Sequence, residues 1–143
     1  MARQRIPTHI EQRIRNSARQ RCGYCLSPQH LVMARLEIEH IVPLAKGGSN
    51  DESNLWLACP ICNRHKADKI VAIDPATGVE VPLFNPHTQS WHEHFQWSDD
   101  GIQIIGLTPI GRAAVVALQL SEDLDALLVR SNWVLAGWHP PKD

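Results

Sequence analysis

The sequence has no long hydrophobic run. Its most compact apolar stretch, Ala113 to Leu118, falls far short of the roughly 18 apolar residues of a membrane-spanning helix. The basic start, Met1-Ala2-Arg3-Gln4-Arg5, is not followed by an apolar segment, so it lacks the form of a secretory signal. A cytoplasmic location is therefore expected, and a reducing compartment disfavours disulfides among the four cysteines. Internal repeats and low-complexity tracts are also missing, which removes repeat architectures. What remains, at 143 residues, suits one domain with a small appendage.

Net charge is nearly absent as well, at −1, but this total hides a division. Residues 1–69 carry 11 Lys and Arg against 6 Asp and Glu, whereas residues 70–143 carry 3 against 9. The first half is thus +5 and the second −6. A positive half of this kind suits a polyanionic partner, although surface charge also serves solvation.

The pattern along the chain predicts short elements. Ile6, Ile10, Ile14 and Ala18 recur every four residues, which predicts a helix over 8–20, with Thr8 and Glu11 at capping-box spacing. Arg13, Arg15, Arg19 and Arg21 lie off that stripe, as a solvated face or a phosphate-contacting arm would. A strand is expected over 35–43, a turn at Lys46-Gly47-Gly48-Ser49-Asn50, a return strand over 54–58 and a short helix over 61–69. A second hairpin is predicted from Val71–Ile73 to Val79–Val81, and a short strand over 102–107. Thr108-Pro109 and Ser121-Glu122-Asp123 read as helix starts. The segment from Trp91 to Trp97 holds His92 and His94, which would share a face on a strand and diverge on a helix. Core packing of its aromatics, with the histidines at the surface, is the simpler expectation.

Chemistry concentrates before residue 70. Cys22-Gly23-Tyr24-Cys25 and Cys59-Pro60-Ile61-Cys62 are two C-x-x-C pairs with 33 residues between them. Each pair can turn both sulfurs toward one ion, and four thiolates complete a tetrahedral zinc shell. No coordination position stays open, so such a zinc is structural and clamps the ends of the segment between the pairs. That segment contains Leu36-Glu37-Ile38-Glu39-His40-Ile41-Val42-Pro43, then Gly47-Gly48 and Asn54-Leu55, and the second pair continues into Asn63-Arg64-His65-Lys66.

Taken together, these residues resemble the HNH endonuclease family. Its pattern is C-x-x-C, an acid-His-[Ile/Val]-x-Pro strand, a Gly-Gly turn, Asn-Leu, and C-x-x-C-Asn followed by a basic residue. The resemblance is densest over residues 22–69. It implies that His40 is the general base and that Glu39 gives a carboxylate oxygen to a catalytic divalent ion. Asn63 is implied as the ion's other protein ligand, and Asn54 as the residue that orients the His40 loop. Lys66, and with it Arg64, is implied at a substrate phosphate. The departure from the family is Glu39, where Asp or His is more usual.

The chemistry agrees with this assignment. A phosphodiester repels a nucleophile and needs its leaving 3′ oxygen stabilised. An imidazole can take a proton from water, but general-base catalysis supplies only roughly 10²–10⁴ in rate. A divalent ion, Mg²⁺ or else Mn²⁺ or Ni²⁺, is needed to neutralise developing charge, and Mg²⁺ asks for few protein ligands. One geometric difficulty stands in the way. Adjacent residues in a regular strand face opposite ways, so Glu39 and His40 meet one phosphate only if the strand bends or ends, as Pro43 would favour.

The expectation is therefore an α+β protein with a ββα-metal, treble-clef-like core around a structural zinc held by four cysteines. Residues 1–21 would form a basic N-terminal helix, 22–70 the nuclease core, and 71–143 an acidic C-terminal α/β extension packed on it. The implied reaction is hydrolysis of DNA, double-stranded by preference, leaving a 5′ phosphate and 3′ hydroxyl. One site cuts one strand, so a double-strand break needs a homodimer or repeated encounters. The alternative is a non-catalytic zinc module that binds nucleic acid or protein. A zinc-dependent redox or hydrolytic enzyme ranks below both, since four cysteines leave the metal no open position.

Overall fold

A computed structural model describes residues 5–142 of the chain. It divides into two compact units. One runs to Ile70 and takes in Asn85–Thr88, and the other comprises Val71–Phe84 and the residues from Gln89 onward.

The first unit starts with helix α1 (Thr8–Ser17). The expected Thr8–Glu11 capping box does not form, because Thr8 is already helical and Pro7 is the cap. Pro7 O instead accepts from the amides of Ile10 and Glu11 at 3.1 and 3.0 Å. Glu11 is then free to receive Arg15 one turn later at 2.9 Å, and Arg15 is buried rather than solvated. The helix stops before residue 20 because Arg19 and Gln20 adopt left-handed backbone, with φ of 58° and 57°. Ile14 and Ala18 of the apolar stripe are buried, as the spacing requires.

Strands β1 (Glu37–His40) and β2 (Leu55–Ala58) pair antiparallel, with Glu37 opposite Ala58 and His40 opposite Leu55. Both are shorter than their sequence windows. Between them the chain makes single 3-10 turns at Leu44–Lys46 and Glu52–Asn54. The two glycines of the turn are required for different reasons. Gly47 has φ +88°, and a Cβ on Gly48 would lie 1.8 Å from Val42 O. Helix α2 (Pro60–Lys66) follows directly, with Pro60 in its first turn and Cys59 as its cap. It ends at Lys66 because Ala67 turns to φ 49°. The Asn85–Thr88 loop joins this unit through His87, whose Nδ1 lies 3.0 Å from Leu55 O and whose ring meets Trp56 edge-on.

The second unit pairs β3 (Val71–Ile73) with β4 (Glu80–Pro82), and β5 (Phe95–Trp97) with β6 (Ile104–Gly106), both antiparallel. Asp74 closes the first hairpin and is fully buried. It accepts from Ala76 N, Thr77 Oγ1 and both arms of the Arg112 guanidinium. The segment from Trp91 splits between two elements: a single helical turn, α3 (Trp91–His94), runs into β5. Trp91 and Phe95 are buried, His92 is exposed, and His94 is held by Thr108 Oγ1 at 2.6 Å. Helix α4 (Pro109–Ala117) is capped by Thr108, which accepts from Gly111 N. Helix α5 (Leu124–Ala136) is capped by Asp123 rather than Ser121. The Ser121 hydroxyl is committed to Ile104 N and O at 2.8 and 2.7 Å. No helix among the described residues is long and apolar enough to cross a membrane.

Candidate active site and metal centre

The four cysteine sulfurs come from two tight turns. In the first, Tyr24 N donates to Cys22 Sγ at 3.4 Å, and in the second Cys62 N donates to Cys59 Sγ at 3.4 Å. Gly23 N ties the first turn to β2 through Leu57 O at 2.8 Å. The result brings one sulfur from each cysteine within 4.8 Å of the others, all of them buried. The group is positioned to hold a metal ion, and it is the one such group among the described residues. Burial pushes the Cys22 thiol up, whereas hydrogen bonds from its neighbours pull the Cys25 thiol down. Thiolates buried so close together would repel one another, and a bound cation would offset that repulsion by taking them as ligands.

His40 ends β1, half-buried. Its Nε2 lies 2.7 Å from Asn50 Oδ1. The carbonyl oxygen can only accept, so this contact is a hydrogen bond in the tautomer that carries its proton on Nε2. No motif in the sequence marks Asn50, which reads there only as the last residue of the turn. The signal available is its place beside Gly47-Gly48, which fold the turn back over β1.

Asn54 closes that loop. Its Oδ1 accepts from Val42 N at 2.9 Å, and its Nδ2 donates to Val42 O at 2.9 Å and Ser49 O at 2.8 Å. Its own carbonyl accepts from Ile41 N at 2.9 Å. Four bonds from one residue hold both sides of the excursion that carries His40 and Asn50.

Glu39 faces away from His40, as strand alternation demands, and is 2% exposed. Its Oε1 accepts from the Tyr24 hydroxyl, while its Oε2 is buried without a partner. Burial raises the carboxyl to about 7, against the pull of the Lys66 ammonium and the Tyr24 hydroxyl. Lys66 is itself buried, at 2% exposure, and donates to His40 O at 3.0 Å and Ile41 O at 3.2 Å. Burial lowers its basicity, with Glu39 opposing. Its bonds therefore run to the backbone beneath His40. Arg64, by contrast, is exposed.

Asn63 N closes the α2 turn on Cys59 O at 2.9 Å. Its side-chain Nδ2 donates to Glu37 Oε1 at 2.9 Å, which assigns the amide nitrogen to protein and leaves Oδ1 as the atom suited to a cation. These contacts join His40 with Asn50, Asn63 with Glu37, and Glu39 with Tyr24. None of them joins Glu39 to Asn63. Sequence reasoning misses Glu37, two residues before Glu39 on one strand face, because the acid beside the histidine draws the assignment.

Comparison with known proteins agrees with the motif. Residues 22–69 match the family described as HNH endonuclease. The chain is also similar to the CRISPR-associated endonuclease Cas9 of Corynebacterium diphtheriae, at 30% identity over 118 residues. That alignment covers 77% of this chain but 10% of the relative, so the chain spans about a tenth of the length of the curated protein it matches. No solved structure matches it. The segment from Cys22 to Lys69 is the part of the chain that is similar to the HNH endonuclease family.

Proposed function

We propose that this protein hydrolyses DNA phosphodiester bonds, with His40 as the general base. The observation that carries the reading is the setting of His40 within the HNH segment. Its ring is held by Asn50, its loop is tied by Asn54, and the neighbouring Glu39 keeps one buried oxygen without a partner. With Nε2–H committed to Asn50, Nδ1 is the ring atom that takes the proton from water. Lys66 holds the His40 and Ile41 carbonyls, so its contribution is to fix the base, while the exposed Arg64 is available to a phosphate.

Two metals fit the residues present. The four buried sulfurs suit zinc, whose preferred shell is four tetrahedral ligands, and such a zinc has no open position for chemistry. Around it, β1, β2 and α2 make a ββα-metal, treble-clef-like core. For the second ion, a buried carboxylate oxygen lacking any donor is the feature that a hard cation satisfies. Glu39 Oε2 would be one ligand and Asn63 Oδ1 the other, with side-chain movement at Glu37 and Asn63 accompanying entry. When bound, Mg²⁺, Mn²⁺ or Ni²⁺ supplies charge neutralisation on the phosphate and leaving oxygen.

The substrate class rests on the family and on the basic first half of the chain. Phosphate-dominated binding makes the interaction fall steeply with salt. The second reading, a zinc module that binds without cutting, keeps the cysteines but has no use for a tied histidine beside a buried acid. End-labelled duplex DNA separates them. Divalent-ion-dependent products with 5′ phosphate ends support the nuclease, whereas salt-sensitive binding with intact DNA in Mg²⁺, Mn²⁺ and Ni²⁺ supports the binding module.

A further inference from the structure

Tyr24 is the single tyrosine of the chain and sits between the two cysteines of the first knuckle. It is fully buried, so its hydroxyl must find a partner inside the protein. The partner is Glu39 Oε1. The bond crosses from the cysteine turn to β1, and it leaves Oε2 as the buried oxygen with no donor. An ionised carboxylate has two equivalent oxygens and ordinarily chooses between one-oxygen and two-oxygen ligation. Here the protein biases the choice, because the Tyr24 hydroxyl fills one lone-pair site of Oε1 and turns Oε2 out as the less encumbered oxygen.

We infer that Tyr24 is a positioning residue for the catalytic cation, holding Glu39 by one oxygen so that the other alone meets the ion. The inference rests on the nuclease reading, in which Glu39 is a ligand, and adds the residue that orients it. It also explains how glutamate serves where the family more often has a shorter acid. The extra methylene gives Glu39 more rotamers, and the Tyr24 hydroxyl selects among them. Because the knuckle backbone is fixed by Cys22 and Cys25, the orientation of Glu39 is tied to an intact cysteine cluster.

The test measures Mn²⁺ binding to the zinc-loaded protein, read by loss of the free Mn²⁺ electron paramagnetic resonance signal. Tyr24→Phe keeps the ring and removes the hydroxyl. The expected result is a roughly 10- to 100-fold weaker Mn²⁺ affinity, the usual effect of losing a group that orients a metal ligand, with zinc content unchanged. Wild-type affinity in Tyr24→Phe alongside lost binding in Glu39→Gln would overturn the role of Tyr24 and leave the nuclease reading standing. Wild-type affinity in both variants would overturn the inference together with the assignment of Glu39 as a ligand. Should Tyr24→Phe fail to fold, biosynthetic 3-fluorotyrosine labels position 24 alone. A saturable ¹⁹F shift on Mg²⁺ addition, absent in Glu39→Gln, then supports the inference, and no shift overturns it.

Discussion

The first unit, which contains the HNH match, buries four cysteines, Glu39, Lys66 and Arg15 among a few large side chains, notably Ile14, Tyr24, Leu36, Leu55 and Leu57. The unit that follows buries Phe84, Trp91, Phe95, Ile104, Leu118, Leu120 and Trp133, with Asp74, Arg130 and His139 as its polar exceptions. In the second, stability comes from excluding water from apolar surface, and its buried charges are held by several partners each. Arg130, for example, gives both arms to carbonyls, of Ile102 and Leu120 at 2.7 Å. In the first, Arg15 and Lys66 are likewise held by protein groups, but beside them lie four clustered sulfurs and a carboxylate oxygen that no protein group donates to. Incomplete polar burial is costly in free energy and persists where a ligand completes it.

Removing the metal tests this contrast most severely. On the proposed zinc assignment, a strong chelator, or Cys62→Ser, should unfold the first unit, since structural zinc in small modules contributes on the order of 10 kcal/mol. Hydrogen exchange should then rise throughout the segment to Ile70 while the amides of β5, β6 and α4 stay protected. Equal loss in both units would break the comparison. The converse is Phe95→Ala, which should cost about 3–5 kcal/mol in the second unit and leave the zinc stoichiometry unchanged.

A smaller effect distinguishes the two kinds of buried charge by pH. Arg112, followed by the bonds from Ala76 N and Thr77, holds the Asp74 carboxyl well below the usual range. Its folded value is depressed, so its contribution is complete above the unfolded carboxylate value and is lost as pH falls through the folded one. Asp74→Asn should therefore flatten the acid limb of the second unit's thermal stability below about pH 4. Least of all, Thr108→Ala should cost about 1 kcal/mol through the cap of α4. It should not alter metal content.

Much of the site is legible in the sequence because its signals are local. Two C-x-x-C pairs imply a cluster wherever the chain goes, and Gly47-Gly48 announces a turn with little dependence on context. Helix α4 is equally plain, since Thr108 and Pro109 cap and start it within two residues. What escapes depends on contacts distant in sequence. The Tyr24–Glu39 bond spans 15 residues, and the Lys66 bond to the His40 carbonyl spans 26. A lysine on the helix after the cysteines reads as a surface cation until its burial is known. The split of Trp91–Trp97 into α3 and β5 escapes for another reason. Its aromatics suit a core in either conformation, so periodicity does not choose between them. Ser121 shows the same limit at a helix start, where a distant strand claims the hydroxyl that local spacing assigns to the cap.

The central claim is that His40 performs base catalysis within a zinc-stabilised HNH unit. Nicking of supercoiled plasmid with Mg²⁺, Mn²⁺ or Ni²⁺ tests it most directly, comparing wild type with His40→Ala at equal zinc content. The account predicts metal-dependent nicking by the wild type, reduced roughly 10²- to 10⁴-fold in the variant. Equal nicking by both proteins, or none by a folded and zinc-loaded wild type, would contradict it.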